Sequence, residues 1–233
     1  MKEKILPLLV PVFCTLLFCG CPLAITVVSL PDDSIEMDFK AEFGTEFLES
    51  IHEMSVMQND ESGQDAGTEE EINLSDVIHT DKIEAELAKN FAAVSKVFIR
   101  ENNQFIVNMQ IPQKSLASQT LLRQDESPEG KKRLILTLSP ESLRQAIMRD
   151  DSYIRNFADI LMAPIFTGEQ MSAEEYREFL ISIYGENLAS ELVDGTLFIN
   201  FKLNKSGNIK KRFSIPLKDL LTLTEARIYI FEL

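Results

Sequence analysis

Alternation of apolar and polar residues predicts strands in the part of the chain that follows residue 21. Every second residue from 35 to 41 is apolar, in the order Ile35, Met37, Phe39 and Ala41, which is the period of a strand with one buried face. Residues 22–30 are apolar and β-branched, and residues 31–34 have the composition of a turn. We therefore expect two consecutive strands here.

The same alternation predicts further strands, and helical spacing predicts the segments between them. Strands are expected over residues 96–100, 104–111, 133–138, 197–203, 209–215 and 227–233. A helix is expected from Thr45, and another from Thr80 with Ile83, Leu87, Phe91 and Val94 facing a core. Ser139 and Pro140 start a stretch of two helices, broken near residues 150–151, that ends at Ala163 and Pro164. A capping box at Ser172 starts a helix that stops at Gly185, and a short helix is expected over residues 187–193. Because the strands fall into hairpins and the helices are inserted in groups, the sequence predicts an α+β fold with a largely antiparallel sheet.

Two polar stretches interrupt these elements. Residues 59–71, within an insertion near 58–72, contain no apolar side chain larger than alanine, so they cannot bury enough surface to offset the entropy of ordering. Residues 123–132 are similarly polar, and we expect both stretches to be mobile acidic loops. The first is interpreted as a disordered insertion in a single domain, and the alternative is a linker between a small N-terminal piece and the rest.

The first 21 residues have the pattern of an export signal. Lys2 and Lys4 precede an apolar run over residues 5–18, and the sequence Cys-Gly-Cys follows at residues 19–21. A charged start, a short apolar middle and a small residue before the cut are typical of a secretory signal. About 14 apolar residues are few for a membrane-spanning helix. The chain is therefore predicted to be exported.

The end of this signal resembles the lipobox of bacterial lipoproteins, in the relaxed form known from spirochaetes. Cys19 and Gly20 fit the pattern, whereas Phe18 stands where the usual box has leucine. The resemblance implies that signal peptidase II removes residues 1–20 and that Cys21 carries the lipid, which leaves residues 21–233 as one α+β domain in the cell envelope. An uncleaved membrane anchor and ordinary secretion are the alternatives.

Cysteine usage and charge bear on how the mature chain is held. The chain has three cysteines, Cys14, Cys19 and Cys21, so loss of residues 1–20 leaves a single thiol and no disulfide. A formal net charge of −14 gives the protein no electrostatic reason to bind nucleic acid or an anionic bilayer surface. We therefore expect the lipid on Cys21 to hold the protein at the outer or the cytoplasmic membrane.

The sequence contains none of the common catalytic, nucleotide-binding or metal-binding motifs. Its two histidines, His52 and His79, are expected to be solvated. Residues 60–71 have the length of a calcium-binding loop, but Ser62 and Gln64 stand where such a loop needs Asp or Asn. We therefore expect no enzymatic activity, no metal and no cofactor.

The stretch over residues 154–166 is more apolar than one helix stripe requires. Its candidate contact residues are Phe157, Ile160, Leu161, Met162, Ile165 and Phe166. They belong either to a central buried helix or to an apolar surface that meets a partner, a lipid or a neighbouring domain. The sequence therefore predicts a membrane-anchored envelope lipoprotein with a non-catalytic interaction or structural role. An envelope protein is the candidate partner. The alternative is a module that binds a lipid or another apolar ligand.

Overall fold

The computed structural model describes residues 23–45, 47–49, 74–77, 80–81, 83–85, 94–100, 103–113, 122–141 and 161–233. Within these ranges nine strands form two sheets, with helices between them in the chain. The strand pairings are antiparallel except for one. The predicted α+β fold with a largely antiparallel sheet is therefore confirmed.

The larger sheet has six strands. Side by side they are β3 (Val94–Arg100), β4 (Gln104–Ile111), β2 (Ile35–Glu42), β1 (Leu23–Ser29), β7 (Thr196–Lys202) and β8 (Lys211–Pro216). β1 lies antiparallel to β2 on one side and parallel to β7 on the other. The strand that comes first in the described chain is thus enclosed on both sides by strands that follow it.

Alternation along each strand decides which face of this sheet is buried. Side chains on successive residues of a strand point to opposite faces, and burial along β2 alternates accordingly. The register places Phe39 opposite Ile25 on one neighbour and Val107 on the other, and all three side chains are buried. The predicted strands at 22–30 and 35–41 and the predicted hairpin at 96–111 are confirmed.

The smaller sheet has three antiparallel strands. They lie in the order β5 (Leu122–Glu126), β6 (Lys132–Leu138) and β9 (Arg227–Glu232). The prediction of a mobile loop over residues 123–132 is wrong, because β5 and a turn occupy this stretch. An edge strand can pair its backbone and keep polar side chains in solvent, and Asp125 here accepts a hydrogen bond from Arg133 at 3.1 Å.

In the described ranges, helices lie between β2 and β3, between β6 and β7, and between β8 and β9. The described helices are α1 (Leu74–Val77), α2 (Ala163–Thr167), α3 (Ala173–Tyr184), α4 (Glu186–Val193) and α5 (Leu217–Leu221). α3 begins at the predicted capping box, in which Ser172 Oγ accepts from the Glu175 N–H and the Glu175 carboxylate accepts from the Ser172 N–H. It ends at Gly185, which has a φ of 82°, so both predicted boundaries are confirmed.

Three local predictions need correction. Pro164 does not end a helix but lies in the first turn of α2, where its missing N–H costs nothing. Val94 belongs to β3 and not to the preceding helix. Leu203 and Ile209 lie in the connection between β7 and β8 with 41% and 40% of their surface exposed, because the strands end before them. The short helix α5 was not predicted.

Aromatic contacts join the two sheets across the core. The Phe201 ring of β7 stacks on the Phe231 ring of β9 with centroids 4.9 Å apart. Phe213 of β8 meets Tyr229 of β9 edge to face at 4.9 Å. The helices α3, α4 and α5 contribute to the same hydrophobic cluster. One continuous core therefore underlies the described parts of residues 21–233.

Several predicted features lie partly or wholly outside the described residues. The signal at residues 1–20, the insertion near 58–72 and most of the helical stretch over 140–162 are among them. Helical backbone is present at residues 45, 47–49, 80–81, 83–85 and 140–141, at the expected places. Phe47 and Leu48 are buried, and Ile83, which was predicted to face a core, packs against it.

Candidate functional site

The face of the six-stranded sheet that points away from the core carries a line of polar side chains, one from each strand. We call this line the cross-sheet row; its members, from β3 to β8, are Lys96, Asn108, Asp38, Thr26, Asn200 and Arg212. Each residue is the direct register partner of the next. Because neighbouring strands lie about 4.8 Å apart, the row is about 24 Å long.

Hydrogen bonds fix several of these side chains. Asn108 Nδ2 donates to Asp38 Oδ1 at 2.6 Å, and Arg212 Nε donates to Asn200 Oδ1 at 2.7 Å. Asn200 is only 5% exposed, so its bond to Arg212 compensates for the loss of water. Lys96 and Arg212, at the two ends of the row, are exposed. The row thus presents fixed polar groups between two accessible cations.

An apolar row lies beside the cross-sheet row, two residues closer to the Leu23 end of β1. Phe98, Ile106, Ala24 and Phe198 are its apolar members, with Lys40 between them in the register. The guanidinium of Arg212 lies over the Phe198 ring at 5.6 Å from its centroid, a distance within cation–π range. Phe98 is 43% exposed on β3. The outer face therefore combines fixed polar groups with an accessible aromatic ring.

Other polar side chains extend this face toward the end of β1. Glu36 forms an ion pair with Lys205, and Gln110 Nε2 donates to Ser34 Oγ at 3.3 Å. Ser34 in turn donates from both its N–H and its Oγ to Asp32 Oδ1. These bonds to Ser34 lower the pKa of the Asp32 carboxyl. The turn before β2 is therefore held by a carboxylate that stays ionised over a wider pH range than usual.

The structure places the predicted apolar contact residues in the core wherever it describes them. Leu161, Met162 and Ile165 are at most 2% exposed, and Phe166 is half-buried against the same cluster. The Leu161 carbonyl accepts a hydrogen bond of 2.6 Å from the buried Tyr176 hydroxyl, and burial raises the pKa of that phenol. Phe157 and Ile160 lie outside the described residues. These described side chains correspond to the buried-helix interpretation and offer little free surface.

The predicted lipidation site, Cys21, lies just outside the described residues, which begin at Leu23. His52 and His79 also lie outside them. In the described ranges no helix is long and apolar enough to cross a bilayer. The same ranges contain no group of three or more His, Cys, Asp or Glu side chains that could hold a metal ion.

Two surface cavities lie away from the outer face of the large sheet. One of about 410 Å³ is lined by Lys210, Lys211, Ile230, Phe231 and Glu232, between the β8 and β9 edges. In this cavity Lys211 Nζ donates to the Ile230 carbonyl at 2.9 Å. A smaller one of about 180 Å³ lies beside residues 124–126 of β5. Neither cavity contains any of the predicted site residues.

The cross-sheet row was not found from the sequence. The signal that could have revealed it is a polar residue at a middle outward position of each strand, such as Thr26 between the apolar Ile25 and Val27 of β1. Joining six such residues into one line needs the register of strands far apart in the chain, and local patterns do not supply that register.

In the comparisons with known proteins, no family model, no curated protein and no solved structure matches this chain.

Proposed function

We propose that the protein is a membrane-anchored lipoprotein of the bacterial cell envelope whose role is to bind another envelope protein rather than to catalyse a reaction. The anchoring part rests on the resemblance of residues 18–21 to a lipobox and on the charged and apolar segments before it. Two or more acyl chains on Cys21 would hold the domain stably at the membrane.

The cross-sheet row is the observation that supports the binding role. Sites for small ligands are usually concave and mostly apolar, whereas the row is a line of polar groups on a sheet face. Protein interfaces favour arginine and aromatic anchors, and the outer face offers Arg212 on Phe198 and the accessible ring of Phe98. Because Arg212 and Asn108 already have hydrogen-bonded partners, little side-chain entropy is lost when they meet a partner.

Affinity capture from solubilised membranes tests this role. The wild-type protein is expected to retain one stoichiometric envelope protein, and Arg212→Ala is expected to lose it. Lys210→Ala is the matched control, because it removes the same charge from an exposed residue near β8 that is not part of the row. Lys96→Glu, at the exposed far end of the row, tests the same surface without touching the buried Asn200. Equal capture by Arg212→Ala, Lys96→Glu and wild type contradicts the proposal.

The alternative role, binding of an apolar ligand, would use the segment 154–166. Its described members Leu161, Met162 and Ile165 pack in the core, so a ligand would have to displace them from one another. Mass spectra of the protein made without its signal test this alternative, which requires a copurifying acyl chain. Such a ligand at one-to-one stoichiometry would favour the alternative over the binding of an envelope protein.

A further inference from the structure

We propose that the domain stands end-on upon the bilayer, so that the Leu23 end of the large sheet contacts the headgroups and the cross-sheet row runs along the membrane. The inference rests on the proposed lipidation of Cys21. The partner that fits a surface in this position is the membrane-proximal part of another protein in the same bilayer.

The tether between the proposed anchor and the fold is short. Two extended residues span about 7 Å, which is the reach available between Cys21 and Leu23. Leu23 is fully buried and lies in register with Leu197, while Ala24 pairs with Lys40 on the other side. The tether cannot lengthen unless the central strand of the sheet comes apart. The anchor therefore fixes the domain at the point where β1 begins.

Residues from the neighbouring strands share the Leu23 end of the large sheet. We call it the anchor end; the register places at it Glu42, Arg100, Gln104, Thr196 and Pro216. Glu42 and Arg100 are exposed and of opposite charge. The register residues at this end therefore carry balanced charge and form no basic patch.

The opposite end of the domain is equally well defined. The turn between β1 and β2 contains Asp33, whose carboxylate is paired with Lys132 Nζ at 2.5 Å. The backbone carbonyl of Lys132 accepts from the Leu233 N–H at 2.8 Å. Glu129 lies in the adjoining turn between β5 and β6 and is exposed. Residue 233 and this turn therefore lie at the far end from Cys21.

The position of the cross-sheet row follows from the same geometry. Thr26, its member on β1, is five residues after Cys21, so its Cα lies within about 17 Å of the anchored Cα. The row runs across the strands, and strands that rise from the membrane therefore hold it parallel to the bilayer. A partner that reaches the row must itself lie close to that membrane surface.

An alternative orientation would lay the outer face flat on the headgroups. That orientation would remove water from Asp38, Glu36 and their neighbours, and desolvation of charged groups without new partners is costly. The opposite face is covered by the core, the helices and the smaller sheet. End-on contact therefore leaves these charged groups in water, which contact through the outer face would not.

Single tryptophan reporters test the orientation, because the chain contains no tryptophan. The variants are Glu42→Trp at the anchor end, Lys96→Trp in the cross-sheet row and Glu129→Trp at the far end. Each is extracted from membranes, checked for acyl mass and reconstituted in phosphatidylcholine vesicles that carry a nitroxide on the headgroup. We expect Glu42→Trp to lose most of its fluorescence, Lys96→Trp to lose less, and Glu129→Trp to match the same variant in vesicles without nitroxide.

Two fluorescence results would overturn the end-on orientation. The first is equal quenching of Glu129→Trp and Glu42→Trp. The second is stronger quenching of Lys96→Trp than of Glu42→Trp, which indicates that the outer face lies on the membrane. Absence of acyl mass would instead overturn the proposed lipidation. In that case residues 21–233, in which Cys21 is the single cysteine, are produced without the signal and coupled through that thiol to a maleimide lipid. The order of quenching among the three variants then tests the end-on orientation independently of natural lipidation.

Discussion

Leu23 lies directly beside Leu197 where β1 and β7 run parallel, and both side chains are almost completely buried. The two residues are separated by most of the chain, and the strands that carry them meet in the middle of the six-stranded sheet. The start of the fold, two residues after the proposed anchor, is therefore held by the C-terminal part of the protein. Any force on the anchor acts on the centre of the sheet.

Truncation of this residue is expected to destabilise the whole domain. Leu23→Ala should lower the free energy of unfolding by about 2–5 kcal/mol, because it leaves a cavity between β1, β2 and β7. Urea denaturation followed by circular dichroism measures the loss. Leu203→Ala is the control, since Leu203 is 41% exposed, and a change within about 0.5 kcal/mol is expected there. Equal losses for the two variants would contradict the central place of β1.

The hydroxyl of Tyr176 is expected to contribute to stability through one buried hydrogen bond. Tyr176→Phe removes the donor to the Leu161 carbonyl and should cost about 0.5–1.5 kcal/mol. Tyr229→Phe is the control, because no hydrogen bond of the Tyr229 hydroxyl is found within the described part of the chain, and its ring contact with Phe213 is kept. A more stable Tyr176→Phe protein would show that this hydrogen bond does not stabilise the folded state.

Two glycines should respond differently to the same substitution. Gly185, between α3 and α4, has φ 82° and ψ 168°, a combination that essentially only glycine adopts. Gly168, after α2, has φ 72° and ψ 14°, which asparagine tolerates. An added Cβ meets no described atom within 4 Å at either position. We therefore expect Gly185→Asn to cost about 1–3 kcal/mol of unfolding free energy and Gly168→Asn to cost clearly less.

The outcome at Gly185 depends on backbone conformation alone, so thermal unfolding of the two variants side by side is a sufficient measurement. Similar melting temperatures for Gly185→Asn and Gly168→Asn would mean that the backbone at Gly185 relaxes without penalty.

The capping box of α3 should lose strength at low pH. The Ser172 backbone N–H, and then the Ser172 side chain, hold the pKa of the Glu175 carboxyl below its usual value. A lowered folded-state pKa means that the contribution is complete above the unfolded pKa and is lost as the pH falls through the folded pKa. Glu175→Gln keeps an acceptor for the Ser172 N–H but does not titrate.

Unfolding free energies of the wild type and Glu175→Gln, measured from about pH 6 to about pH 3, check this prediction. The advantage of the wild type should shrink as the pH falls. A difference between the two proteins that does not change with pH would refute the role of the Glu175 charge.

Local features of this fold are readable from the sequence, and distant ones are not. The hairpin of β3 and β4 and the capping box at Ser172 are encoded by neighbouring residues, and both were predicted. The pairing of β1 with β7 and of β6 with β9 joins segments far apart in the chain, which no local period reveals. β5 was missed because its composition is that of a loop, and α5 because five residues are too short for a helical period. The cross-sheet row depends on the pairing of β1 with β7 and on that of β2 with β4, which are also far apart in the chain.

The intact mass of the membrane-extracted protein tests whether Cys21 carries a lipid anchor. It is compared with a Cys21→Ser variant, and both are prepared with and without an inhibitor of signal peptidase II. The wild-type protein is expected to lack residues 1–20 and to carry acyl mass. Cys21→Ser should show neither change, and protein from inhibited cells should retain residues 1–20. An uncleaved or unmodified N-terminus in the wild type would contradict this expectation.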